Sequence, residues 1–149
     1  MASHLSFVRL GVIGILCFSG AGCLGTTIDA RFDDATEAVA AGMVEKGWIP
    51  AWMPKNAVNL REVHDLDTSV GELSFEIPDA GKVRLPADCK SVEYSDTVEA
   101  YFRRRWWPTE KELKESFSFL ECSADGADYK FVGIQRDGRR VLQWRTYRQ

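Results

Sequence analysis

Two prolines and a change of periodicity within residues 47–77 constrain the fold more than any other part of the chain. Pro50 and Pro54 fix their own φ angles and favour extended backbone at the residue before each. Residues 59–66 and 72–77 then alternate with a period of two, which is typical of half-buried strands. The polar residues 67–71 between them predict a turn, so we expect an antiparallel hairpin after a rigid apolar corner.

The first 22 residues have the features of a signal peptide. Their apolar run, residues 10–18, is too short for a transmembrane helix, which needs about 20 residues. The following Ser-Gly-Ala-Gly-Cys resembles a bacterial lipobox, in which Cys23 would be acylated. Ordinary secretory cleavage is the alternative, because Gly20 and Gly22 also satisfy a small-x-small rule. We predict a lipoprotein signal peptide over residues 1–22, a tether over 23–28 and a single domain over 29–149.

An acylated Cys23 would place the protein in the cell envelope. Acyl chains, palmitate among them, contribute about 0.8 kcal/mol per buried CH₂, so several chains anchor a protein stably. The next residue is Leu24 and not Asp, a pattern that resembles lipoproteins sent to the outer membrane. The prediction is a lipid-anchored protein of the outer membrane that faces the periplasm.

Charge excludes one class of partner and suggests another. The net charge of −3 argues against a nucleic-acid binder. Residues 29–79 contain eleven acidic and four basic residues, whereas residues 130–149 contain six basic residues and one acid. The interpretation we favour is charge pairing between an acidic first hairpin and a basic last one. The alternative is a basic face that binds anionic lipid or polysaccharide.

Cysteine use agrees with export. Cys17 lies in the signal peptide and Cys23 is the predicted lipid site, so Cys89 and Cys122 remain as one candidate disulfide in an oxidising compartment. Two buried free thiols are the alternative.

The remaining patterns predict an α+β fold. Residues 29–46 have helical spacing and would form an N-terminal amphipathic helix that ends at Gly47. A second helix is predicted from Ser95 or Asp96 to Trp106. Residues 116–122, 129–135 and 140–147 read as strands, the last two joined by an Asp137-Gly138 turn. The predicted domain is therefore a helix packed on a mostly antiparallel sheet of about five strands.

Three segments together resemble a known family. They are GWIPAWMPKNAVNLREVHDLDTSVGELSF, RRWWP, and FLEC followed by YKFVGIQRDGRRVLQWR. This arrangement resembles the YbbD-like family of small bacterial envelope lipoproteins. The matching positions are Trp48, Pro50, Pro54, Asp65, Asp67, Thr68, Trp106, Trp107, Pro108, Cys122, Trp144 and Arg145. The resemblance implies an envelope address and this fold, and it implies no chemistry. Ser69 stands where the family often has Asn.

Catalytic signatures are absent from the sequence. His64 is the only histidine after residue 22, and its neighbour Asp65 would point to the opposite face of a strand. No nucleophile, zinc or nucleotide motif occurs. We therefore predict a protein that is not an enzyme and has no cofactor.

The acidic turn partly resembles a calcium loop. Asp65, Asp67 and Glu76 follow its spacing, but Val70 stands where the tight turn needs Gly. A side-chain-capped turn, in which Asp67 and Thr68 bond backbone amides, is the favoured interpretation.

Aromatic and basic residues are the candidates for binding. The basic run 103–105 lies beside Trp106 and Trp107, and guanidinium groups stack on indoles and on sugar faces. The candidate binding residues are Trp48, Trp52, Asp65, Asp67, Arg103, Arg104 and Trp107.

The predicted function is a non-catalytic binding or structural role at the membrane surface. The partners would be membrane lipid through Cys23 and an envelope protein or anionic glycan, with no nucleic acid. One alternative is a secreted metal-dependent hydrolase-like enzyme that uses Asp65, Asp67 and Glu76. The other is an accessory subunit that docks an envelope protein through Trp48, Trp52 or Trp107.

Overall fold

Seven antiparallel strands form one sheet in the computed structural model, which describes residues 26–79, 83–122 and 128–147. The sheet order is β1-β2-β3-β7-β6-β5-β4. The strands are β1 (Thr27–Asp34), β2 (Val58–Asp65), β3 (Gly71–Glu76), β4 (Lys90–Val92), β5 (Phe117–Cys122), β6 (Asp128–Gln135) and β7 (Arg140–Tyr147). Two short helices, α1 (Ala35–Ala40) and α2 (Glu110–Ser116), and a 3₁₀ turn at Tyr94–Asp96 complete the described elements.

The two predicted hairpins are present and lie side by side. β2 pairs with β3, β6 pairs with β7, and β3 pairs with β7 in the middle of the sheet. Gly138 has a φ of +73° in the turn between β6 and β7, a conformation that glycine adopts without steric cost. The first and last hairpins therefore share one continuous ladder.

Each face of the sheet is covered by a different part of the chain. One face carries Leu60, Leu73 and Phe75 and is covered by α1 and by residues 47–54, which we call the corner. We call it the corner face. The other carries Val63, Leu142 and Trp144 and is covered by α2 and by residues 97–109, which we call the strap. Because both faces are covered, β2 and β3 are buried on both sides.

The predicted fold class is wrong, because the domain is mostly β. The helices contain six and seven residues, whereas the sheet has seven strands instead of about five. The two strands that were not predicted, β1 and β4, are the edge strands of the sheet.

The predicted N-terminal helix over residues 29–46 is replaced by strand β1, the six-residue helix α1 and a series of turns. Phe32 and Ala35 fit a helical spacing, but Ala30 and Phe32 also fit a period of two. The backbone of β1 pairs with β2 from Thr27 to Asp34, and this ladder decides the conformation. Residues 27 and 28, predicted as tether, therefore belong to the sheet.

The predicted helix ending at Trp106 does not form, because its backbone groups have other partners. A helix would join the Phe102 N–H to the Val98 carbonyl. Instead, the Phe102 N–H donates to the buried side chain of Glu72, and the Val98 carbonyl accepts from the Trp144 indole at 2.8 Å. Tertiary contacts thus hold the strap in an irregular extended path.

The expected charge pairing between the hairpins is not found among the described residues. Glu76 and Arg140 are directly opposed, but no ion pair within 4.0 Å joins the two hairpins. Arg140 instead donates to the Ser74 hydroxyl and to the Trp106 carbonyl. Within the described residues, the basic side chains of the last hairpin therefore form no direct ion pair with the first hairpin.

The predicted signal peptide and Cys23 lie outside the described residues. Within the described part of the chain, no helix has the length and apolar character needed to cross a membrane.

Candidate ligand-binding site

The corner is a rigid structure that projects two indoles at the edge of the corner face. Gly47 has a φ of +79°, and the N–H groups of Trp48 and Ile49 both donate to the Met43 carbonyl. Ile49 is 1% exposed and anchors the corner in the core. Trp48 and Trp52 pack against this core but remain half-buried. Because the anchor is buried, the positions of both indoles are set by the fold.

A row of residues crosses the corner face beside the corner. The register of the strands places His64 opposite Gly71, Gly71 opposite Arg145, Arg145 opposite Lys130, and Lys130 opposite Cys122. Residues that are directly opposed on antiparallel strands point to the same face. The row therefore brings two cations together, with the side-chain-free Gly71 next to them.

Lys130 and Arg145 line a groove of about 360 Å³ between the corner and the sheet. Trp52, Pro50 and Val132 supply apolar walls. The polar lining consists of the two cations together with Gln143 and Asp88. The groove combines an aromatic wall, two positive charges and hydrogen-bonding groups, a composition typical of small-ligand sites.

His64 is closed off from the groove by Trp48 and by Glu62. The Trp48 ring stacks on the imidazole at 3.8 Å between centroids, with 15° between the planes. The His64 Nδ1 atom lies 2.9 Å from both carboxyl oxygens of Glu62. Glu62 and His64 are 1% and 4% exposed. As predicted, His64 does not form a dyad with Asp65.

Burial shifts the protonation of this pair toward neutral groups. Burial, with a smaller contribution from the charge of Asp29, raises the pKa of Glu62 to about 8. Burial lowers the pKa of His64, against the smaller effect of Asp65. At neutral pH the pair is therefore best described as a carboxylic acid bonded to a neutral imidazole.

A second buried acid lies on the strap face. Glu72 is 1% exposed, and burial raises its pKa to about 8 in spite of the Phe102 N–H bond and the nearby Arg104. Among the residues that the structure describes, its second oxygen, Oε2, has no hydrogen-bond partner. Glu72 thus joins the strap to β3 as a neutral acid.

The predicted disulfide is present between Cys89 and Cys122. Lys90 and Glu121 are directly opposed, so the bridge extends the pairing of β4 with β5 by one position. Cys122 also lines the groove, which places the bridge in its wall.

The acidic turn between β2 and β3 is capped by the side chain of Asp65. Asp65 accepts from the Thr26 hydroxyl at 2.6 Å and from the N–H and hydroxyl of Thr68 at 2.9 and 2.8 Å. These bonds lower the pKa of Asp65 to about 2. The capping acid is Asp65, not Asp67 as predicted.

The carboxylates of the metal alternative do not converge. Asp65 ends β2 next to the turn, whereas Glu76 lies at the far end of β3 opposite Val58. Among the described residues, no group of three or more His, Cys, Asp or Glu side chains could hold a metal ion.

The predicted basic and aromatic patch is dispersed along the strap. Arg103 is exposed, while Arg104 forms a bidentate ion pair with Asp29 at 2.7 and 2.8 Å. Trp107 packs edge-on against Trp106 and Trp144 at 5.8 Å between ring centroids. Arg104 and Trp107 therefore make structural contacts on the strap face, and neither residue lines the groove.

Lys130, Arg145 and Gln143 were not predicted as site residues. The excess of basic residues in the last hairpin was visible in the sequence, but which of them share a face with the corner depends on the strand order. The signal that could have found them is their period-two spacing from Val132 and Val141, combined with a β3–β7 pairing.

The structure is thus a mostly β domain with a groove on one face of a seven-stranded sheet. Residues 26–76 match the family model of the YbbD head domain. This match supports the resemblance to the YbbD-like family and indicates an envelope-associated protein. It covers β1, α1, the corner and the first hairpin. No curated protein and no solved structure matches the chain.

Proposed function

We propose that this protein is a lipoprotein of the bacterial outer membrane that faces the periplasm and serves as a non-catalytic binding component. Its anchor would be acylated Cys23 after removal of residues 1–22. The domain would present its groove to other components of the envelope near the membrane surface.

The observation that carries this proposal is the attachment of Thr26 to the β2–β3 turn. The Thr26 hydroxyl bonds Asp65, and the Thr26 carbonyl accepts from the Leu66 N–H at 3.1 Å. Three residues extend at most about 10 Å, so an acyl group on Cys23 would hold this turn close to the bilayer. A domain held so near the surface suits a local binding role.

A binding role is favoured over catalysis by the state of the titratable groups. Glu62 and His64 are buried under Trp48, and Asp65 is occupied by its own turn. The groove, by contrast, exposes cations and an indole beside one another. These features support recognition of a ligand without a reactive group aimed at it.

The experiment is the intact mass of the protein from the membrane fraction, with Cys23→Ser and Cys17→Ser compared. We expect a wild-type species that starts at Cys23 and is heavier by acyl chains. Cys23→Ser should lose the acyl mass, whereas Cys17→Ser, which changes only the signal peptide, should keep it. A wild-type protein without acyl chains would refute the anchor.

Sorting needs a separate measurement. Density-gradient fractionation should find the wild type in the outer membrane, and Leu24→Asp should move it to the inner membrane. Wild-type protein found only with the inner membrane would refute the proposed location.

A further inference from the structure

We propose that Lys130 and Arg145 are the anion-binding centre of a site for an acidic oligosaccharide in the groove beside the corner. This inference rests on the proposed binding function and gives it a ligand class, a glycan that carries carboxylate groups.

The first argument is the direct opposition of two cations. Lys130 on β6 and Arg145 on β7 are cross-strand partners on the same face. Like charges in this position destabilise a sheet unless a counter-charge lies nearby. Among the described residues, neither side chain forms an ion pair, and Asp88, the one acid in the groove lining, offsets only one of the two positive charges. A bound carboxylate would remove the repulsion, so the arrangement favours an anionic ligand.

The second argument is the space around Arg145. Its other cross-strand neighbour is Gly71, which has no side chain. No side chain therefore occupies the position beside Arg145 on β3. A guanidinium group binds a carboxylate through two parallel N–H bonds, and the missing side chain leaves this flank of Arg145 open to such an approach.

The third argument is the composition of the rest of the groove, which suits a sugar ring. Trp52 presents an aromatic wall, on which the C–H face of a pyranose can pack. The Gln143 amide can both donate and accept, so hydroxyl groups of the sugar find a partner there. With one acid and two cations in its lining, the groove keeps a net positive charge.

A concave site with an aromatic wall fits a glycan better than a bilayer surface. Lipid head groups meet a protein on a broad, exposed basic surface. Here the cations line a groove whose volume lies in the range of small-molecule sites.

The test is isothermal titration calorimetry on the full-length protein purified from membranes in detergent. The probe is hexagalacturonate, and its fully methyl-esterified form is the uncharged control of the same length. The variants are Lys130→Gln and Arg145→Gln. Arg139→Gln, an exposed change at the opposite end of the same hairpin, is the matched control.

We expect the acid to bind at least tenfold more tightly than its ester. Lys130→Gln and Arg145→Gln should each weaken binding at least tenfold, and Arg139→Gln should leave it unchanged. Without ligand, Lys130→Gln should raise the thermal unfolding midpoint, because it removes one of two like charges at directly opposed positions.

Several results would overturn the inference. They are no binding by the wild type, equal affinity for acid and ester, and equal loss in Arg139→Gln. Equally tight binding of inorganic phosphate would show recognition of charge alone, and binding of phosphatidylglycerol in mixed micelles without binding of hexagalacturonate would indicate a lipid surface. None of these results bears on the acyl mass of the protein. The lipid anchor is therefore tested separately, by intact mass.

Discussion

The imidazole of His64 and the carboxyl group of Glu62 lie on the same face of strand β2, with Nδ1 2.9 Å from each carboxyl oxygen. Both side chains are buried, and Trp48 stacks on the imidazole. The pair joins the corner to the sheet and so supports the wall of the groove. Its protonation therefore matters for the stability of the site.

Replacing each partner in turn tests whether Glu62 is a neutral acid at pH 7. Glu62→Gln keeps a neutral group that can donate to His64, so we expect a loss below about 1 kcal/mol in the free energy of unfolding. His64→Leu leaves a buried carboxyl group without its partner and should cost about 1–3 kcal/mol. Urea denaturation at pH 7 measures both. A larger loss for Glu62→Gln than for His64→Leu would indicate an ionised pair.

The raised pKa of Glu72 predicts that the free energy of unfolding falls as the pH rises. Its pKa is raised from 4.5 to about 8, so the folded protein keeps a proton that the unfolded chain releases. The stabilisation is complete below pH 4.5 and is lost as the pH rises through about 8. One pKa unit corresponds to about 1.4 kcal/mol, so Glu72 should account for a few kcal/mol of the loss between pH 5 and 9.

The variant Glu72→Gln isolates this contribution. Urea midpoints measured from pH 5 to 9 should decrease less in Glu72→Gln than in the wild type. Glu62 contributes a fall in the same window and remains in both proteins. Glu115→Gln, an exposed change on α2, should show the wild-type pH dependence. Parallel curves for wild type and Glu72→Gln would contradict the raised pKa.

The disulfide should contribute substantially to stability. It closes a loop of 33 residues in sequence separation and connects the edge strand β4 to β5. Removal by Cys89→Ala with Cys122→Ala should cost about 2–4 kcal/mol. Urea denaturation of the double variant and of the reduced wild type should agree. A midpoint unchanged by both treatments would show that the bridge adds nothing.

Gly133 leaves space for an aromatic ring. A Cβ atom at this position would lie 3.2 Å from Cε1 of Phe119, its cross-strand neighbour. Gly133→Ala should therefore cost about 1–3 kcal/mol through overpacking. Adding Phe119→Leu removes the ring, so the two losses should be less than additive in thermal denaturation. Full additivity would contradict a direct steric contact.

Local patterns were reliable where a segment's neighbours in space are also its neighbours in sequence. The β2–β3 and β6–β7 hairpins follow from period-two alternation and from their turns. Local patterns predicted the wrong conformation where the backbone pairs with residues that are distant in sequence. The spacing around Phe32 predicted a helix, but β2 recruits this segment as a strand.

In the strap, too, the local sequence predicts a helix that tertiary hydrogen bonds prevent. Val98 and Phe102 have the spacing and apolar character of a helix. Glu72 and Trp144 bond the two backbone groups that such a helix would join to each other. No local propensity contains information on these partners, which lie 30 and 46 residues away.

The sequence alone predicted the two hairpins, a candidate disulfide between Cys89 and Cys122, the family resemblance and the separation of His64 from Asp65, because each depends on local periodicity, elimination or motif. Only the tertiary structure decided that the sheet has seven strands and that Lys130 and Arg145 face each other beside Trp52. The physical reason is that strand order and register are set by long-range backbone pairing and by burial of both sheet faces. A basic hairpin is therefore visible in the sequence, whereas the groove it lines exists only in the fold.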